Sequence, residues 1–154
     1  MSTGGDLPFG VTRHVRDNCL CFHLQRAARV VARRFDDAFR PLGLTSGQFS
    51  LLMSLNRAEA PSIGQVSAGL AMDRTTLTAA LKPLERRGLV RVTVDPADRR
   101  SRRLTLTPAG KRLLAAALPS WRATLAEVRR QLSESGSEPG SGPESLCASL
   151  RALS

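Results

Sequence analysis

The sequence predicts a mainly α-helical fold with one small β-hairpin, in which the first and last long helices are left free to join two copies of the chain. Three observations predict it. Apolar residues recur at three- and four-residue steps along most of the chain. The run Leu89–Val94 instead alternates apolar and polar residues, and a second such run follows after a turn. The apolar helix faces from Leu24 to Phe39 and from Leu114 to Leu132 are more than one small domain would bury. With 154 residues, 42% of them hydrophobic and 23% charged, the chain suits a single compact domain.

Residues 1–12, made largely of Gly, Pro and polar residues, read as a disordered lead-in. From about Val15 to Phe39, the positions Leu24, Ala28, Val31, Phe35 and Phe39 mark one face of a long amphipathic helix, and residues 13–42 form the first dimerisation segment. Pro41 stops that helix and Gly43 helps the chain turn. Thr45 can cap a second helix, with Phe49, Leu52, Met53 and Leu55 as its buried side. Ser62 followed by Gln65 is a capping-box pattern for a short helix, Ile63 to Leu70, with Val66 and Leu70 inward.

After a tight turn at Ala71-Met72, Asp73 caps another helix whose core face is Leu77, Leu81 and Leu84 and which Gly88 ends. Pro83 removes a helix hydrogen bond and crowds the Ala79 carbonyl, which predicts a kink or a weakened last turn. Leu89–Val94 reads as a strand, residues 95–100 as a charged turn, and Arg103–Leu106 as the returning strand. Thr107 and Pro108 open the last long helix over residues 108–132, the second dimerisation segment. Leu114, Leu118, Trp121, Leu125, Val128 and Leu132 give it a heptad-like seam that asks for a partner helix, and Pro119 should bend it. Residues 133–145, only Ser, Glu, Gly and Pro, read as a flexible linker to a terminal helix over residues 146–154.

Charge points to an anionic partner. The chain carries 23 basic residues, 21 of them Arg, against 13 acidic ones. Residues 73–112 alone hold eleven bases and four acids. Such clustering is either the footprint of a nucleic-acid binder or a solvated face in an Arg-rich chain. No apolar run is long enough to span a bilayer and no signal-peptide pattern opens the chain. With three Cys, this leads to the expectation of a cytoplasmic protein with reduced thiols and no membrane partner.

Two short helices joined by a tight turn, then a hairpin and a helix, make a winged helix-turn-helix over residues 44–107, with the hairpin as the wing. Such units place the start of their second helix in the major groove of double-stranded DNA. Here that stretch is Asp73-Arg74-Thr75-Thr76-Leu77-Thr78. With the Leu residues inward, Arg74, Thr75, Thr78 and Lys82 face out, and Thr76 lies among them in the same turn. Arg forks onto guanine; Thr offers its methyl to thymine or its hydroxyl to phosphate. A merely polar surface helix capped by Asp73 is the alternative for these residues alone. Arg99 and Arg100 at the hairpin tip suit a narrow, electronegative minor groove, and Asp98 should hold an Arg side chain in an ion pair.

These motifs resemble the MarR family of winged-helix transcriptional regulators. The resemblance rests on Gly43-Leu44-Thr45 with Gln48-Phe49, Met72-Asp73-Arg74-Thr75-Thr76-Leu77, and Leu84-Glu85-Arg86-Arg87-Gly88-Leu89-Val90. It continues with Asp95-Pro96-Ala97-Asp98-Arg99-Arg100 and Leu104-Thr105-Leu106-Thr107-Pro108-Ala109-Gly110, and covers about Cys19 to Leu132. It implies a homodimer with interlocked first and last helices and two wings reading a pseudo-palindromic operator; the expected role is that of a repressor. It also implies that Arg100, two residues after Asp98, enters the minor groove. Pro83 departs from the usual run beside Lys82.

Leu20-Cys21-Phe22 is similar to the opening of the first helix in the organic-hydroperoxide-sensing branch of that family, which implies Cys21 as the oxidised residue. That branch engages its Cys with Tyr; this chain has no Tyr, and Gln25 and Phe35 take those places. A helix N-terminus and Arg16 would favour the thiolate. Cys19 and Cys21, two apart, would face different sides of one helix. The alternative effector is a small aromatic or lipophilic ligand in a pocket lined by Phe22, Phe35, Phe49, Met53 and Trp121. His14, Cys19, Cys21 and His23 match no common zinc spacing, so neither metal nor cofactor is expected. No phosphate loop, paired catalytic carboxylates or Ser-His-Asp set points to an enzyme. The competing classes are a sequence-tolerant chromatin-type DNA binder and a winged-helix module that docks protein.

Overall fold

The computed structural model describes residues 6–135 and 142–153. In chain order the elements are α1 (Phe9–Asn18), α2 (Leu20–Phe39), a short 3-10 turn (Arg40–Leu42), α3 (Ser46–Ser54), α4 (Ile63–Gly69), α5 (Arg74–Arg86), β1 (Val90–Val94), β2 (Arg102–Leu106), α6 (Pro108–Glu134) and α7 (Pro143–Arg151). The strands pair antiparallel with Val90 opposite Leu106 and Val94 opposite Arg102.

Three expectations at the N-terminal side need correction. The lead-in expected through residue 12 is already helical from Phe9, although α1 buries none of its residues; residues 1–5 lie outside the described residues. The single helix expected from Val15 to Phe39 is interrupted at Cys19, whose backbone is extended (φ −75°, ψ 102°). Local side chains explain the break: Asn18 Nδ2 donates to the His14 carbonyl at 2.9 Å, competing with the helix ladder. Cys19 Sγ then accepts the Phe22 amide at 3.5 Å, as an N-cap does. Met53, expected inside, is exposed, and Leu51 takes the buried position in α3.

At the other end α6 runs on to Glu134 and α7 begins at Pro143. The expected linker is therefore shorter than residues 133–145, and its middle lies outside the described residues. Neither proline ends its helix: α5 continues past Pro83 to Arg86, and Pro119 stands inside α6. In α5 the turn beyond Pro83 is kept by the Arg87 amide donating to the Pro83 carbonyl at 3.2 Å.

One core holds these elements together. Phe39, Leu52, Val66, Leu77, Leu84 and Leu104 are its fully buried side chains, contributed by α2, α3, α4, α5 and β2. The Phe39 ring stacks on Phe49 at 4.8 Å between centroids and tilts against Phe35 at 5.8 Å. α2 also packs along α6, where Leu114 and Ala117 are buried and the seam becomes more open toward Leu132. Asp36 at the end of α2 accepts the Ser46 amide at 2.6 Å, fixing the start of α3. Gly43 takes the left-handed φ of 62° needed there, and its carbonyl accepts Arg87 Nη1 at 2.7 Å. Thr107 closes the far side: its hydroxyl donates to the Gly88 carbonyl at 2.6 Å and accepts the Gly110 amide at 3.1 Å, capping α6.

Candidate nucleic-acid interface

The α4–turn–α5 unit is built from caps. In α4 the Ser62 hydroxyl accepts the Gln65 amide while Gln65 Oε1 accepts the Ser62 amide, at 3.2 and 2.8 Å. The turn passes through Ala71 in left-handed geometry (φ 50°), and the buried Ser67 hydroxyl donates to the Met72 carbonyl. Asp73 then caps α5 twice, accepting the Thr76 amide at 2.8 Å and the Thr76 hydroxyl at 2.6 Å. That hydroxyl, followed by that amide, holds the Asp73 carboxyl below its ordinary range. Leu77, Leu81 and Leu84 face the core, leaving Arg74, Thr75, Thr78 and Lys82 exposed on the outer side. Thr76 is exposed too, but its hydroxyl proton is committed to Asp73; that of Thr78 goes to the Arg74 carbonyl at 2.7 Å.

In the wing, Arg99 and Arg100 are exposed at the tip. Asp98 does not hold an Arg side chain, as its charge led us to expect. Its Oδ1 accepts the Arg100 backbone amide at 3.0 Å, and its carbonyl accepts the Ser101 amide at 2.9 Å. The short turn places that amide closer than any guanidinium, so Asp98 shapes the tip instead.

The ion pair that does stabilise the wing is one the sequence reading missed. Arg103 Nε donates to Asp95 Oδ2 at 2.7 Å and its Nη1 donates to the Ala60 carbonyl at 3.0 Å. Leu104 N donates to the Pro61 carbonyl at 2.9 Å, and Ser62 bridges to Arg103. The wing root is thus fastened to the segment that opens α4. The hairpin register could have revealed this, because it sets position 95 opposite 101 and so diagonal to 103.

Asp95 is only 6% exposed. Its pKa is lowered by the Ala97 amide first and by Arg103 second, against an opposing desolvation. A carboxyl whose folded pKa is depressed stabilises fully above its unfolded value, about 3.9, and loses that stabilisation as pH falls through the folded value. The hydrogen-bonded amides of Ser101 and Leu104 are therefore expected to exchange slowly from neutral pH to about pH 4 and to lose that protection only below. Asp95→Asn should show the loosened wing already at neutral pH; unchanged exchange there would count against the anchor.

A cleft of about 410 Å³ separates α4 and α5 from the wing, and Ser62, Gly64, Arg74, Thr78, Arg100 and Arg102 are among its walls. Of the eight expected DNA-facing residues, Arg74, Thr78, Asp98 and Arg100 line it together. Thr75, Thr76, Lys82 and Arg99 are exposed outside it.

The expected sensing residues are only partly assembled. Cys21 is exposed and its sulfur accepts Gln25 Nε2 at 3.2 Å, with Cys19 at the helix break beside it. Phe35 belongs to the core around Phe39, about 21 Å further along α2 at 1.5 Å per residue. Arg16 is paired with Asp17 at 2.7 Å instead of facing a thiol. The aromatic pocket is not formed within one chain, since Phe49 is buried in the core while Phe22 and Met53 are exposed. A different cleft of about 400 Å³ runs between α2 and α6, with His23, Arg26, Val31, Arg34 and Val128 in its walls. Among the described residues no His/Cys/Asp/Glu group could hold a metal ion, and no helix is long and apolar enough to cross a membrane.

Known proteins share this arrangement. The MarR family profile matches residues 44–101, the stretch from the start of α3 to the wing tip. The transcriptional activatory protein BadR of Rhodopseudomonas palustris is 35% identical over 115 residues, covering 72% of this chain and 66% of BadR. The chain thus spans just under two thirds of that relative's length. The M. tuberculosis transcriptional regulator MosR, solved in complex with DNA, superposes with a TM-score of 0.75 at 34% identity, covering 88% of this chain and 93% of MosR. BpsR of Bordetella bronchiseptica, whose DNA binding is regulated by 6-hydroxynicotinic acid, superposes with a TM-score of 0.73 at 27% identity, covering 87% of this chain and 91% of BpsR. Fold, motif order and relatives agree: the chain belongs to the MarR family of winged-helix transcriptional regulators.

Proposed function

We propose that the chain works as a homodimer that binds a pseudo-palindromic operator in double-stranded DNA and represses transcription, with an oxidant or a small ligand controlling its grip. One observation carries the DNA-binding reading: the outer face of α5 and the Arg100 tip line the same open cleft, so one protomer can present both to a duplex at once. MosR, crystallised on DNA, supports it. In this reading the start of α5, with Arg74, Thr75, Thr78 and Lys82, enters the major groove while Arg99 and Arg100 reach the neighbouring minor groove. Dimerisation is supported by the apolar residues exposed on one chain: Phe9, Val11 and Val15 on α1, and Leu20 and Phe22 on α2.

Fluorescence anisotropy with the protein's own upstream DNA and a scrambled duplex is the test. Arg100→Ala should weaken operator binding, most where the minor-groove segment is A·T-rich, by the roughly 1–3 kcal/mol of one specific contact. Binding with a steep salt dependence but no operator preference would identify the sequence-tolerant alternative. Failure of the intact dimer to bind any duplex would favour a protein-docking module.

For the control step, the thiol reading rests on the exposed Cys21 in the first turn of α2, hydrogen-bonded to Gln25 one turn further on. An organic hydroperoxide would pass its terminal oxygen to the Cys21 thiolate, giving a sulfenic acid and an alcohol. DNA release by hydroperoxide, reversed by added thiol and prevented by Cys21→Ser, is the expected outcome. Unchanged binding would retire the thiol and leave the α2–α6 cleft, with Arg26 and Arg34 beside apolar walls, as the place for an acidic aromatic ligand.

A further inference from the structure

Arg74 has the side chain that would fork onto guanine and stands at the start of α5, yet its guanidinium is turned toward α4. It is the first residue of α5, and its guanidinium folds back over Gly64 of α4. A Cβ on Gly64 would lie 3.1 Å from Arg74 Nη2 and 3.8 Å from its Cζ. With no side chain at position 64 that space is open to the Arg; a Cβ alone would ask the guanidinium to give by a few tenths of an ångström, and a branched side chain would fill more of the space. Arg74 thus forms a wall of the cleft whose opposite side carries Arg100 and Arg102. Among the described residues the guanidiniums of Arg74 and Arg100 have no hydrogen-bond acceptor, whereas Arg102 Nη1 is engaged by the Arg99 and Ser101 carbonyls at 3.0 and 3.3 Å. Among the described residues Asp98 is the only acidic side chain in the walls, and its Oδ1 is taken by the Arg100 amide.

The geometry of a duplex says what enters such a cleft. A helix in the major groove and a wing tip in the adjacent minor groove are separated by one sugar–phosphate strand, because that strand is the boundary between the two grooves. The cleft between α4, α5 and the wing therefore receives backbone, not base edges. Across it from the Arg100 side, the Arg74 guanidinium matches the paired oxygens of a phosphodiester.

We propose that this cleft seats the phosphate at the groove boundary, that Arg74 is its ligand, and that Gly64 positions Arg74 for that contact. The proposal rests on the DNA-binding reading above and assigns the base edges to the other exposed residues of α5. A phosphate ligand and a base reader differ in two measurable ways. Losing the former weakens all sequences alike and flattens the salt dependence, while losing the latter relaxes base preference.

The experiment measures binding of the full chain to operator and scrambled duplexes over a range of salt, for the unchanged protein and for Arg74→Ala, Arg74→Lys and Gly64→Val. Arg74→Ala should weaken both duplexes by the same factor and make the salt slope shallower by about 0.9 per protomer. Arg74→Lys should keep the slope, since a point charge still neutralises a phosphate. Gly64→Val should reproduce the Arg74→Ala defect, with no further loss in the double variant and an unchanged circular dichroism spectrum. A neutral methylphosphonate at the boundary phosphate should erase the difference between the unchanged protein and Arg74→Ala. An unchanged salt slope with a flattened operator preference, or no effect on either duplex, overturns the proposal while leaving DNA binding intact. No binding by the unchanged protein to any duplex would instead overturn the DNA-binding reading itself.

Discussion

Phe39→Ala should lower the free energy of unfolding by about 3–5 kcal/mol, the range for emptying a fully buried Phe site. Its ring is completely buried, stacked on Phe49 and packed beside Phe35. The site is also poorly able to collapse. The end of α2 is tied to α3 through Asp36 and Ser46, and the turn that follows is tied to Arg87 through the Gly43 carbonyl. A domain of this size is stable by only about 5–15 kcal/mol, so the loss is a large share of the total. Phe39→Leu keeps most of the volume and should recover the greater part. Urea unfolding is the measurement: a lowered midpoint with an unchanged slope supports the assignment, and an unmoved midpoint would remove Phe39 from the core.

Gly110→Ala should destabilise by about 3 kcal/mol, near the top of the usual overpacking range. Alanine in a helix ordinarily gains up to about 1 kcal/mol over glycine, so the expected sign is opposite to propensity. The reason is a Cβ that would stand 2.3 Å from the Leu89 carbonyl oxygen and 2.8 Å from Leu106 Cδ1. The carbonyl is backbone and already accepts the Thr107 amide at 3.1 Å, so it cannot yield without opening the joint between β1 and α6. Gly47, which has open space around it near the start of α3, is the control: Gly47→Ala should be neutral or stabilising. Equal thermal melting of the Gly110→Ala and unchanged proteins would contradict the close approach.

Local rules read the winged unit well because its devices are local. The Thr45 cap, the Ser62/Gln65 box and the Asp73 cap each act within four residues and each is present in the structure; of the run Leu89–Val94, the strand takes Val90–Val94. The misreadings came where something non-periodic decided the outcome. Apolar spacing passes smoothly across Cys19, but the Asn18 side chain competes with the ladder and α1 has no buried residue to hold it in line. Leu51 and Met53 both suit a buried helix face, and only the placement of the neighbouring elements chose between them. Asp98 beside two Arg residues looked like an ion pair because charge is visible in a sequence and turn geometry is not. Asp95 and Arg103 lie eight positions apart and meet only once the strands are in register. Gly64 carried no signal of its own; its use depends on where Arg74 folds.

The fastening of the wing root to the opening of α4 has a mechanical consequence. Through Arg103, Asp95, Ala60 and the Leu104–Pro61 hydrogen bond, hairpin and helix pair form a calliper with a set gap. A calliper of fixed gap cannot let go by opening its own jaws. In the dimer we propose, control over the hold on a duplex would then come from tilting or parting two such callipers, with the long α2 and α6 shafts behind them as the levers.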